Sequence, residues 1–160
     1  MEISEKGIVM KRKLLICTLL FVTFSLFSQN AERLELLLDQ ERVSYAQAAL
    51  LVLEASGRID SANQMGEEEA FNFALKNNLL PKNAVANHAV NMQGLSFLVM
   101  RAFEIKGGFF YSITKSQHHA YRELVYRGMI QGRSDPLMYI TGEQLFFTVN
   151  RVLYSMGVNQ

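Results

Sequence analysis

Few residues in this chain have the types and spacing that catalysis or metal binding needs. His118 and His119 are adjacent. Neighbours on a helix point about 100° apart, so the pair cannot readily share one ion. No His-x-x-x-His spacing accompanies them, and the one cysteine, Cys17, stands near the N-terminus. The pair therefore reads as surface histidines at a helix start. Glu67, Glu68 and Glu69 could hold a cation, yet three acids in a first turn more simply complement the helix dipole. No Ser-His-Asp order, phosphate loop or paired-carboxylate pocket can be assembled. The expectation is a chain with no enzymatic activity, no metal and no cofactor.

Two clusters suit binding instead. Arg122, Arg127 and Arg133 stand in sequence near Tyr121, Tyr126 and Tyr139. Guanidinium beside aromatic rings suits sugars or acidic partner surfaces. Glu123 and Arg127, four residues apart, also read as a helix-stabilising pair. The second cluster, Gly107-Gly108-Phe109-Phe110-Tyr111, reads as an aromatic loop after a glycine pair. Three consecutive aromatics are costly to expose, so partial burial is expected, with a partner site as a further use.

These residues need elements to position them. Six helices are expected: Asn30–Asp39, Ser44–Ser56, Gly66–Asn78, Asn91–Ile105, Ser116–Arg127 and Thr141–Met156. Ser44 with Gln47, and Thr141 with Gln144, have the spacing of capping boxes. Gly57, Gly128 and Gly157 supply C-terminal stops, and Gly107-Gly108 would stop the fourth helix. The chain has 160 residues, enough for one domain, and 49% are hydrophobic, enough for a core. Its net charge of +1, with no basic stripe, argues against nucleic acid as a partner. The eight methionines read as core filler.

The helices fall into pairs that repeat. Residues 70–107 align on 120–157 without a gap, pairing Ala70 with Ala120, Leu95 with Leu145, Phe97 with Phe147 and Arg101 with Arg151. An earlier copy aligns 47 residues upstream, with Val43 and Val52 on Val90 and Val99. Three helix–loop–helix copies are expected, because one pair cannot bury its apolar face alone.

The third copy holds Gly128-Met129-Ile130-Gln131-Gly132, then Asp135-Pro136, then Ile140-Thr141-Gly142-Glu143. This order resembles the S-layer homology domain family, with its glycine-bounded turn, Asp-containing loop and I-T-R-A-E helix start. The resemblance covers nearly all the chain after residue 30 and is weaker in copies one and two. It implies an all-α fold, with three repeats packed as a compact pseudo-threefold bundle. It implies attachment to cell-wall polysaccharide or peptidoglycan, with Asp135, Thr141 and Glu143 joining Arg122, Tyr126, Arg127 and Arg133 as candidate contacts. The chain departs from the family at the motif arginine, which is replaced by Tyr45, Met92 and Gly142 in the three copies. An envelope protein is therefore an alternative partner, met through those arginines and Phe109, Phe110 and Tyr111.

The N-terminus sets the compartment. Lys11-Arg12-Lys13 precedes an uncharged run from Leu14 to Phe27, and Ser28-Gln29-Asn30 turns polar. This is the layout of a secretory signal, expected to span residues 1–29 and to leave 30–160 as one domain. Met10, directly before the basic cluster, reads as a candidate start. The run is short for a membrane span. The expected location is the periplasm or cell surface, with the membrane met only through the leader before cleavage.

Overall fold

The computed structural model describes residues 32–60, 65–131 and 135–157. The proposed leader and Arg133 lie outside the described residues. The chain divides into two units between Leu36 and Leu37. Residues 32–38 are helical (α1) and cross that division. The second unit contains α2 (Tyr45–Ala55), α3 (Glu67–Lys76), α4 (Met92–Ala102), α5 (Phe109–Thr114), α6 (Gln117–Tyr126) and α7 (Gly142–Ser155). The described residues are thus all-helical, as expected. Two isolated bridges, Ser44 with Ala89 and Asn91 with Tyr139, are the β pairing among them.

Local chemistry explains where most helices begin and end. Ser44 Oγ accepts from Gln47 N–H, while Gln47 Oε1 accepts from Ser44 N–H. Thr141 and Gln144 make the same reciprocal pair. Each box satisfies two groups that a helix start leaves open, worth about 1 kcal/mol. Asn91 caps α4 through Gly94 N–H, and Ser116 caps α6 through His119 N–H. Gly57, Gly128 and Gly157 take positive φ values of 67° to 72° after α2, α6 and α7. That left-handed conformation ends a helix at little cost in glycine.

The end of α4 departs from expectation. It stops at Ala102, before the Gly107-Gly108 pair, and Glu104 takes the left-handed position at φ 54°. Ile105 N–H closes the end on the Met100 carbonyl. Arg58 explains the early stop. Its guanidinium donates to the carbonyls of Ala102 and Arg101 and to the Glu104 carboxylate. A cation at a helix C-terminus satisfies orphan carbonyls and complements the dipole.

The core is continuous across the second unit. Leu50, Leu53, Leu95, Leu98, Leu124 and Leu145 are among its fully buried side chains. α3 packs along α2, α6 packs along α4, and α2 also touches α4 and α7. At the centre, the residues preceding three helix caps form a closed ring. Val43 N–H donates to Ile140 O at 3.0 Å, Val90 N–H to Val43 O at 2.8 Å, and Ile140 N–H to Val90 O at 3.2 Å. All three side chains have zero exposure. The first residue of each following helix donates outward: Tyr45 to His88 O, Met92 to Met138 O and Gly142 to Gln40 O. Buried loop backbone thereby finds partners without a sheet.

Candidate functional site

One surface groove runs along α6 and another lies beyond its C-terminal end. The first, about 190 Å³, lies between α5 and α6 and is lined by Gly108, Phe109, Phe110, Tyr111, His119, Arg122, Glu123 and Tyr126. It gathers five of the expected binding residues: Phe109, Phe110, Tyr111, Arg122 and Tyr126.

The aromatic segment is not the expected loop. It is the helix α5, six residues long with no buried residue. Phe109 is 73% and Phe110 67% exposed, while Tyr111 alone packs against the core. Partial burial therefore holds for Tyr111 and fails for the two phenylalanines. Successive helical residues point 100° apart, so Tyr111 faces inward while Phe109, Phe110 and Ile113 share the outward arc.

Contacts distant in sequence hold α5. Glu123 accepts from Gly108 N–H at 2.9 Å and from Arg127 Nε at 2.8 Å. The expected Glu123–Arg127 pair is therefore present, but it also pins the start of another helix. The Gly108 N–H is the main cause holding the Glu123 carboxyl below its ordinary range; partial burial opposes this, and Arg127 reinforces it. Burial pushes the Tyr111 phenol up, opposed by the nearby Arg101 guanidinium. His119 Nδ1 lies 2.8 Å from both the Thr114 and Ser116 hydroxyls, and its ring stacks on Phe110 at 6.0 Å. His118 and His119 meet edge to face at 5.7 Å.

The second groove, about 360 Å³, lies between the turn after α6 and the outer face of α7. Its walls are Arg127, Gly128, Met129, Gln131, Phe147, Asn150, Arg151, Tyr154 and Ser155. Arg127 reaches it from the C-cap of α6, with its guanidinium also bound to the Lys106 carbonyl. Phe147 is 54% and Tyr154 81% exposed. Arg151 makes no ion pair among the described residues. Sequence reasoning aligned Phe147 and Arg151 with Phe97 and Arg101 but did not place them in a site. The signal was that alignment: Phe97 is buried under the Arg101 guanidinium at 4.8 Å, whereas its counterpart is open.

The other expected contacts do not join either groove. Asp135 Oδ1 accepts from Leu137 N–H within its own turn. The Thr141 hydroxyl is spent on the α7 cap. Glu143 is exposed in the first turn of α7. Tyr139 sits under Arg42 at 5.2 Å and lines neither groove. Gly142 is closed to any side chain, because a Cβ there would collide with the Leu37 carbonyl. Among the described residues, no three His, Cys, Asp or Glu side chains group as metal ligands, and no helix is long and apolar enough to cross a membrane.

Comparison with known proteins gives no match to a family model, a curated protein or a solved structure.

Proposed function

We propose that the chain is a non-enzymatic, exported envelope module that attaches to cell-wall polysaccharide through the groove between α6 and α7. The observation that carries this reading is the groove's composition. Arg151 offers a forked donor to acidic groups beside the already paired Arg127, Gln131 and Asn150 offer amides to hydroxyls, and Phe147 and Tyr154 offer ring faces. The basic, uncharged and polar succession over residues 11–30 supports export.

The reading takes the fold as three S-layer-homology-like copies about a pseudo-threefold axis. The ring of Val43, Val90 and Ile140 supports it, since these residues occupy equivalent positions in the aligned copies. The family's motif arginine has no room at Gly142, so polysaccharide contact shifts to the α6–α7 groove. Retention on purified cell-wall sacculi tests this. Arg151→Ala/Tyr154→Ala should reduce retention at least about thirtyfold, since a hydrogen-bonded charge and an aromatic anchor each contribute on the order of 1–3 kcal/mol, about 2 kcal/mol together at the low end. No retention of the unaltered chain, or undiminished retention of the variant, sinks the reading.

A second reading, an interaction subunit for an envelope protein, has its own observation. Leu137, Met138 and Tyr139 are consecutive and all exposed, at 63%, 37% and 49%. Co-purification with one defined protein, insensitive to wall digestion and lost in Leu137→Ser/Tyr139→Ser, would favour it.

A further inference from the structure

The α5 helix presents a surface that the wall-binding reading does not use. Phe109, Phe110 and Ile113 are 73%, 67% and 66% exposed and lie within one 100° arc. The helix packs chiefly against α6, so this arc stands out from the body rather than lining a deep cleft. It is also held outward. Tyr111 packs inward, the Gly108 N–H is fastened by Glu123, and the Thr114 and Ser112 hydroxyls close on the Phe110 and Gly107 carbonyls.

The rim is basic. Lys106 and Lys115 flank α5 in the chain, and Arg122 lines the groove beside Phe109 and Phe110; all three are exposed. The neighbouring carboxylates are already engaged, Glu104 with Arg58 and Glu123 with Arg127. An outward apolar arc flanked by cations with no ion pair among the described residues has the form of an interfacial anchor. The rings enter the acyl boundary while the long basic side chains reach the headgroups.

We propose that α5 is a wedge that seats on the surface of an anionic phospholipid bilayer. A protein groove is a poorer fit: helix-in-groove recognition draws on anchors over several turns, and α5 has six residues. Lysines near an anionic surface each add about fivefold to binding. With two flanking lysines, the wedge should therefore engage anionic vesicles about twenty-five-fold more strongly than zwitterionic ones.

The chain contains no tryptophan, so Phe109→Trp provides a single reporter. The uncharged run at 14–27 can itself hold the chain to a vesicle, so the readout must be positional. Full-length Phe109→Trp is mixed with phosphatidylglycerol-containing vesicles carrying brominated acyl chains, beside Phe147→Trp in the α6–α7 groove. The expected result is a blue shift and quenching at position 109, little change at 147, and loss of the 109 signal in Lys106→Glu/Lys115→Glu. Four outcomes overturn the proposal. These are no quenching at 109, equal quenching at 109 and 147, equal quenching on phosphatidylcholine alone, or a blue shift at 109 that grows with protein concentration without lipid. The last would make the occupant a second copy of the chain.

Discussion

Single residues carry much of this fold's specificity, and Gly142 is the clearest case. Its backbone conformation needs no glycine; its neighbour does. The Leu37 carbonyl lies where a Cβ would stand. A backbone carbonyl cannot swing aside as a flexible side chain can, so Gly142→Ala should destabilise by about 1–3 kcal/mol through overpacking. A urea midpoint unchanged from the parent would show that the α7 start shifts freely. Gly94 is a useful contrast, since its crowding comes from the Tyr45 side chain, which can move. In sequence, Gly142 was legible only as a departure from a motif. Its reason lies about a hundred residues away in the chain.

Among the elements, α5 shows why a sequence can hide a helix. Six residues cannot display an apolar period, and isolated helices this short are unstable in water. Its start is fixed by Glu123, fifteen residues later in the chain, and its inward face by Tyr111 alone. This dependence gives a pH prediction. Glu123 has its folded pKa lowered, from an ordinary 4.5, by the Gly108 N–H first. A group with a lowered folded pKa contributes stability above its unfolded value and loses it as pH falls through the folded one. The tether should therefore be complete at neutral pH and release only below about pH 4.5. Followed by NMR, the Gly108 amide shift should titrate with a midpoint under that of an ordinary glutamate. In Glu123→Gln it should stay flat; an acid titration surviving there would assign the effect to another group. The longer helices contrast with α5. Ser44, Gln47, Thr141, Gln144 and the three left-handed glycines mark their ends locally, so those boundaries were readable. The end of α4 was not, because Arg58 sets it from another part of the chain.

Across the whole molecule, the ring of Val43, Val90 and Ile140 is the joint where three loops meet. Its amides are fully buried and bonded to carbonyls far away in sequence. They cannot exchange through fraying of one helix, so they should be released only by global opening. Native-state hydrogen exchange should find these three amides at the stability of the whole unit, and those of Ser112 and Lys115 in α5 far below it. Fast exchange at any one ring position would mean that its loop opens alone. Such a joint also lets distinct surfaces share one rigid support. The groove beside α7 and the groove beside α5 are joined at the C-terminal end of α6, where Arg127 of one is ion-paired with Glu123 of the other.

The sequence by itself determined that the described residues are helical and where most helices begin. Those features depend on periodicity and on caps three or four residues away, distances at which the chain reports on itself. Tertiary structure decided the rest. It turned an aromatic loop into an outward helix, moved Tyr139 under Arg42, spent Thr141 and Asp135 on local turns, and opened Phe147 and Arg151 while burying Phe97. Each of these depends on which distant groups compete for the same hydrogen bond or the same volume, and that competition exists only once the chain has closed upon itself.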